Sequence, residues 1–108
     1  MKDVRGILLD VERNTVEIKT LDGSLDDFFE ALNCGYVDIV ARIIGGRSFY
    51  IVRDEALNQW DEPIIYGNLF IANIDESGEI ASLDDDDINH IMPYIRPDAY
   101  RLYFTMDK

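Results

Sequence analysis

The chain has 108 residues, 47% hydrophobic and 11% aromatic, and carries 22 acids against 10 lysines and arginines, for a formal charge of −12 and a pI near 4.2. That length suits one domain, residues 1–108, with a core that needs neither disulfide nor metal. The aromatic content argues against disorder, and the charge argues against direct contact with nucleic acid or an anionic membrane, because phosphate contacts need clustered lysine and arginine.

Cys34 is the only cysteine, so an internal disulfide is impossible and a reducing compartment is expected. The opening Met1-Lys2-Asp3-Val4-Arg5 has no hydrophobic signal region, and no stretch approaches ~18 apolar residues, so the expected location is the cytoplasm. Charge is unevenly placed. Residues 54–95 hold Asp54, Glu55, Asp61, Glu62, Asp75, Glu76, Glu79, Asp84, Asp85, Asp86 and Asp87, with no lysine or arginine. The remaining acids and bases nearly cancel.

In chain order, Ile7 to Glu12 and Thr15 to Lys19 read as a hairpin turning at Arg13-Asn14, which sets Val11 against Val16 and Leu9 against Ile18. Ser24 then caps a helix whose first turn holds Asp26 and Asp27 at the positive end of its dipole. Leu25, Phe28, Phe29 and Leu32 form its expected buried stripe, and Gly35 its left-handed end. Tyr36 to Ile44 reads as a strand with Val37, Ile39, Ala41 and Ile43 on one face. Gly45-Gly46 turns it into Ser48 to Arg53, with two-residue and four-residue loops both compatible. Residues 54–63 form a polar connection carrying Trp60, with room for a helical turn at its start. Leu69 to Ile74 is a further strand, and Asp75-Glu76-Ser77-Gly78 turns into Glu79-Ile80-Ala81. Ser82 caps a second helix striped by Ile88, Ile91, Met92 and Ile95 and ended by Pro93. Tyr100 to Thr105 is the last strand. The expected class is α+β: one antiparallel or mixed sheet of about five or six strands with two helices packed on it.

No constellation points to catalysis. Cys34 sits at a helix C-terminus, where the dipole opposes a thiolate, and His90 reads as a surface ion-pair partner of Asp86. Residues 73–84 match a calcium loop at Asp75, Ser77, Gly78 and Ile80. Asn73 in first place, Asp84 in last and a strand-like lead-in argue against one, so no metal and no cofactor are expected. Asp84 to Asp87 spread around a helix axis and read as a dipole-favoured start. Trp60 beside Asp61 and Glu62 reads as a lid on the core or, as the sharper alternative, as a binding anchor.

Several segments in order resemble domain-of-unknown-function family 3846, small uncharacterised proteins of phages, plasmids and conjugative elements in Gram-positive bacteria. They are the helix end Phe28-Phe29-Glu30-Ala31-Leu32-Asn33-Cys34-Gly35-Tyr36-Val37-Asp38, the strand Tyr50-Ile51-Val52-Arg53 closing in Asp54-Glu55, Gly67-Asn68-Leu69-Phe70-Ile71-Ala72, and Ser82-Leu83-Asp84-Asp85. The resemblance spans roughly residues 1–95; Asn58-Gln59-Trp60-Asp61 departs from the family's usual Leu-Pro-x-Asn-like segment. It implies an α+β fold and a mobile-element origin, and supplies no activity or catalytic residue.

The functional expectation is a non-enzymatic interaction protein that engages a basic or nucleic-acid-binding host protein through Trp60, Asp61, Glu62, Glu79, Asp85 and Asp86. The alternative is a small-ligand or metal-binding module built on Tyr66, Asn68 or residues 75–84.

Overall fold

A computed structural model describes residues 3–58, 64–95 and 101–103. β1 (Val4–Asp10) and β2 (Thr15–Leu21) form the first hairpin, and α1 (Leu25–Leu32) follows. Next come β3 (Val37–Ile44), β4 (Arg47–Asp54), β5 (Ile64–Tyr66), β6 (Leu69–Ile74) and β7 (Ile80–Ala81). α2 (Asp85–Ile91) runs into a 3-10 turn, Met92–Tyr94, and β8 (Arg101–Tyr103) pairs with β5 in a separate two-stranded sheet. The main sheet is six-stranded and antiparallel, in the order β2-β1-β6-β4-β3, with β7 added to β6. The class is α+β, as the alternation of short strands with two capped helices implies.

The helices lie on opposite faces. α1 carries the chain from β2 at one edge to β3 at the other, and buries Phe28 and Leu32 against Val4, Leu8, Val52, Phe70 and Ala72. The Phe28 and Phe70 rings meet at 5.8 Å. Gly6 makes this possible, since a Cβ there would collide with the Phe70 ring and the Ile71 carbonyl. α2 covers the other face, where Ile88 and Ile91 pack with Ile7, Leu9, Phe49, Ile51, Leu69 and Ile71. Each sheet strand alternates, so both faces are apolar near the middle and each takes one helix.

One local expectation holds in detail, and one left open between two loop lengths is resolved. The Ser24 hydroxyl accepts from the Asp27 amide at 3.2 Å, and Gly45 and Gly46, both at positive φ, form the two-residue turn closed by Ile44 and Arg47.

Others are corrected. The first hairpin pairs Leu9 with Val16 and Ile7 with Ile18, so its loop is Val11 to Asn14, with Asn14 at φ 58°. Leu25 is 62% exposed and Phe29 half-buried, because an eight-residue helix seats only the Phe28, Ala31 and Leu32 side on the sheet. The left-handed residue ending α1 is Asn33, not Gly35; the Cys34 and Asn33 amides then reach the Phe29 and Glu30 carbonyls in a Schellman arrangement. Asp84, not Ser82, caps α2, while the Ser82 hydroxyl accepts from the Arg5 amide at 2.9 Å. On the second helix Met92 is 41% exposed, since the chain tightens there into the turn holding Pro93.

Candidate interaction surface

The acid run of α2 is braced from elsewhere in the chain. The Asp84 carboxylate accepts from the Asp87 amide at 2.8 Å and Asp87 returns the bond to the Asp84 amide at 3.0 Å. This closed capping box uses one acid to orient the other. Asp85 meets the Arg5 guanidinium at 2.9 Å and Asp86 meets Arg47 at 3.1 Å, with Asp87 3.7 Å from Arg47. The Asp85 and Asp86 side chains are 86% and 79% exposed, so each pair contributes at most about 1 kcal/mol. They still place two cations over the acids that sequence left uncompensated.

His90 is not a surface partner of Asp86. Its Nε2 lies 3.0 Å from the Ile44 carbonyl, and its ring sits between Phe49 and Tyr94. Asp75 closes its own turn, accepting from the Ser77 amide and hydroxyl and the Glu79 amide at 2.7–2.9 Å, so residues 73–81 are strand, turn and strand.

Charge is sorted between the faces of the β3–β4 hairpin. Arg42, Arg47 and Arg53 lie opposite Phe49, Ile44 and Asp38, on the α2 side of the sheet. Arg42 and Arg53 are only 5% and 4% exposed, and Arg53 grips Asp38 through two bonds of 2.8 and 3.2 Å. The reverse face of the same hairpin carries Val37, Ile39, Ala41 and Ile43 beside Ser48, Tyr50, Val52 and Asp54. α1 covers its Val37–Val52 end. Beyond the helix Ile39 is 45% exposed, Ala41 is exposed and Tyr50 is half-buried. Here an open cleft of about 360 Å³ is lined by Ile39, Tyr50, Gly78, Glu79 and Ile80. The Tyr50 hydroxyl donates to the Gly78 carbonyl and fixes the cleft's far wall.

A second cleft, about 500 Å³, lies between α1 and the first hairpin and mixes Asp10, Glu12, Glu17, Asp27 and Glu30 with Arg13 and Lys19. Asn68 lies among its lining residues, but both ends of its amide serve the fold: it accepts from the Val11 amide at 2.9 Å and donates to the Leu32 carbonyl at 3.3 Å. Tyr66 is likewise held through its backbone by Asn58, a buried side chain that sequence reading missed. Nothing in composition marks Asn58, whose role depends on β5 returning beside the 54–58 loop.

The six residues expected to meet a partner are therefore not all comparable. Glu79 lines the apolar cleft, whereas Asp85 and Asp86 stand at the start of α2 in ion pairs. Trp60, Asp61 and Glu62 lie outside the described residues, as does the expected lid formed by Trp60. Among the described residues no helix is long and apolar enough to cross a membrane, and no three metal-ligating side chains gather. No protein-family model matches the chain, and no curated protein or solved structure is significantly similar to it.

Proposed function

We propose that this chain is a non-enzymatic interaction protein whose partner is a basic protein, and that its origin is the mobile-element setting implied by the resemblance to family 3846. The observation that carries this is the sorting of charge on the β3–β4 hairpin. Its three arginines are turned to the α2 side, and beside its uncovered apolar face stands Glu79. An apolar surface without cations among the described residues, on a chain of net charge −12, favours a positively charged, partly apolar partner. Nucleic acid and anionic lipid carry the wrong sign for this face.

The experiment is affinity capture from a Gram-positive host lysate, followed by association kinetics with the recovered protein at several ionic strengths. Long-range attraction makes the association rate fall as salt rises, while dissociation changes less. A salt-independent association rate sinks the electrostatic reading and leaves the acids as a solubility feature.

A further inference from the structure

α1 covers only a diagonal band of its sheet face. It starts after β2 at one edge and ends before β3 at the other, so both of its flanks overlook uncovered sheet. The flank toward the first hairpin is polar, and its Asp27 and Glu30 line the mixed-charge cleft. The opposite flank is apolar. Phe29 meets the Tyr36 ring at 6.3 Å on the β3 side, and Leu25, one helical turn earlier, belongs to the same stripe.

The sheet beside that flank continues the apolar surface. Val37 lies under the helix end, Ile39 follows it on the same face, and Ile39 shares the open cleft with Tyr50 and Ile80. Helix flank and sheet face thus meet in an inside corner. Of the seven large hydrophobic side chains left exposed among the described residues, Leu25, Tyr36 and Ile39 border this one corner, so the exposure is gathered rather than scattered. Asp26 on α1 and Glu79 on the turn are exposed acids at its rim. Among residues 3–58 and 64–95 every lysine and arginine lies elsewhere. Arg5 meets Asp85, Arg13 and Lys19 line the other cleft, and Arg42, Arg47 and Arg53 are on the α2 side.

Resting on the function proposed above, we propose that this corner seats an amphipathic helix of the basic partner, laid beside α1 across β3 and β4. Its apolar stripe faces Leu25 and Phe29 on one side and Ile39, Tyr50 and Ile80 below. In a helix the residues flanking the stripe emerge along its two borders, so lysines or arginines there reach the rim that holds Asp26 and Glu79. An added strand fits less well. Arg42 Nη1 already donates to the Ala41 carbonyl at 3.0 Å, and a strand sends alternate side chains to the arginine-bearing face. A second copy of this chain carries −12 and brings acids rather than cations to the same rim.

The probe is a synthetic peptide of about 15 residues, leucine at i, i+3, i+4 and i+7 and lysine elsewhere, giving roughly 22 Å of helix. One control scrambles these residues so that the leucines share no face, and another replaces every lysine by glutamate. With the full chain, the ordered lysine peptide should gain helical circular dichroism, since short helices are marginal alone. It should shift the methyl resonances of Leu25 and Ile39 but not of Ile18, which is exposed on the α2 side of the sheet. Leu25→Ser and Ile39→Thr should each weaken it about tenfold, and Ile18→Thr should not. If thermal melting finds one of the first two variants unfolded, the other carries the test. Equal binding of the ordered and scrambled lysine peptides, with Leu25 and Ile39 unmoved, overturns the helix seat but leaves a basic partner standing. Binding of neither overturns both. A glutamate peptide that binds the corner as tightly as the lysine peptide overturns the basic character of the partner. A concentration-dependent dimer that Leu25→Ser dissolves assigns the corner to a second copy and overturns the basic helix.

Discussion

His90 Nε2 stands 3.0 Å from the carbonyl oxygen of Ile44, tying α2 to the last residue of β3. A carbonyl only accepts, so the Nε2 proton is the one shared and the tautomer is set by the fold. Gly45, the next residue, has φ 57°, and a Cβ on it would come within 2.7–2.8 Å of the Tyr94 and His90 rings. Turn, histidine and tyrosine form one packed unit over the end of the hairpin.

Substitutions at this unit should separate its parts. His90→Phe keeps a ring against Phe49 and Tyr94 while removing the donor, and should cost about 1 kcal/mol. Gly45→Ala should cost more than that, since a left-handed backbone disfavours alanine by about 1–2 kcal/mol before any clash. Urea denaturation of both variants checks the order. A neutral Gly45→Ala would show that α2 does not press on this turn.

The contact side of α1 predicts a steep contrast within four residues. Phe28 is 2% exposed against Phe70, so Phe28→Ala should destabilise by about 3–5 kcal/mol. Leu25 is 62% exposed, and Leu25→Ala should change stability by less than about 0.5 kcal/mol. Phe29, edge-on to Tyr36 at 6.3 Å, should fall between them. Equal losses at Phe28 and Leu25 would restore the wider stripe that periodicity alone suggests.

These contrasts indicate which features sequence makes legible. Strands such as β6 and caps such as Ser24 depend on neighbours a few residues away, and they read correctly. The first hairpin did not, because two-residue and four-residue loops keep Leu9, Val16 and Ile18 on the same face. Alternation is blind to a two-residue slip. Ser82 and Asp84 are both good caps, and the choice falls to Asp84 since the Ser82 hydroxyl is taken by Arg5 from a distant strand. β5 escaped notice because three residues carry no periodicity. The acid run looked isolated for the same reason that Ser82 misled: Arg5 and Arg47 come from 80 and 39 residues away.

Cys34 should be a slow nucleophile. Burial pushes its thiol up from the ordinary value, and the Asp54 carboxylate adds to this against a weaker opposing contribution from the Tyr36 backbone. The neutral thiol therefore persists to a higher pH than in an exposed cysteine. Iodoacetamide alkylation of the folded chain should gain speed only above the ordinary thiol range. A rate at neutral pH matching the denatured chain would show that Cys34 is neither shielded nor opposed by Asp54.

The Asp75 turn should not take calcium tightly. Three donors already occupy its carboxylate, and the flanking segments are paired strands, whereas calcium loops of this length sit between helices. Titration calorimetry revealing one stoichiometric site tighter than ~10 µM would overturn this, because that lies in the sensor range.

Charge reversal should divide the acids by location. Glu79 is exposed on the turn and lines the cleft together with Ile39, Tyr50 and Ile80. Glu79→Lys should leave the fold intact, slow association with a basic partner and flatten the dependence of that rate on salt. Asp85→Lys and Asp86→Lys place ammonium groups against Arg5 and Arg47, so each exchanges a weak attraction for a repulsion at the start of a helix whose dipole also disfavours a cation. Those two variants should lose about 1 kcal/mol of stability each, which Glu79→Lys should not. All three add the same charge to the chain. If net charge alone governs binding, they will slow association equally. If the uncovered face of β3 is the contact, Glu79→Lys will also hasten dissociation, and the two α2 variants will not. Equal dissociation rates across the three would leave only long-range attraction and remove Glu79 from the interface.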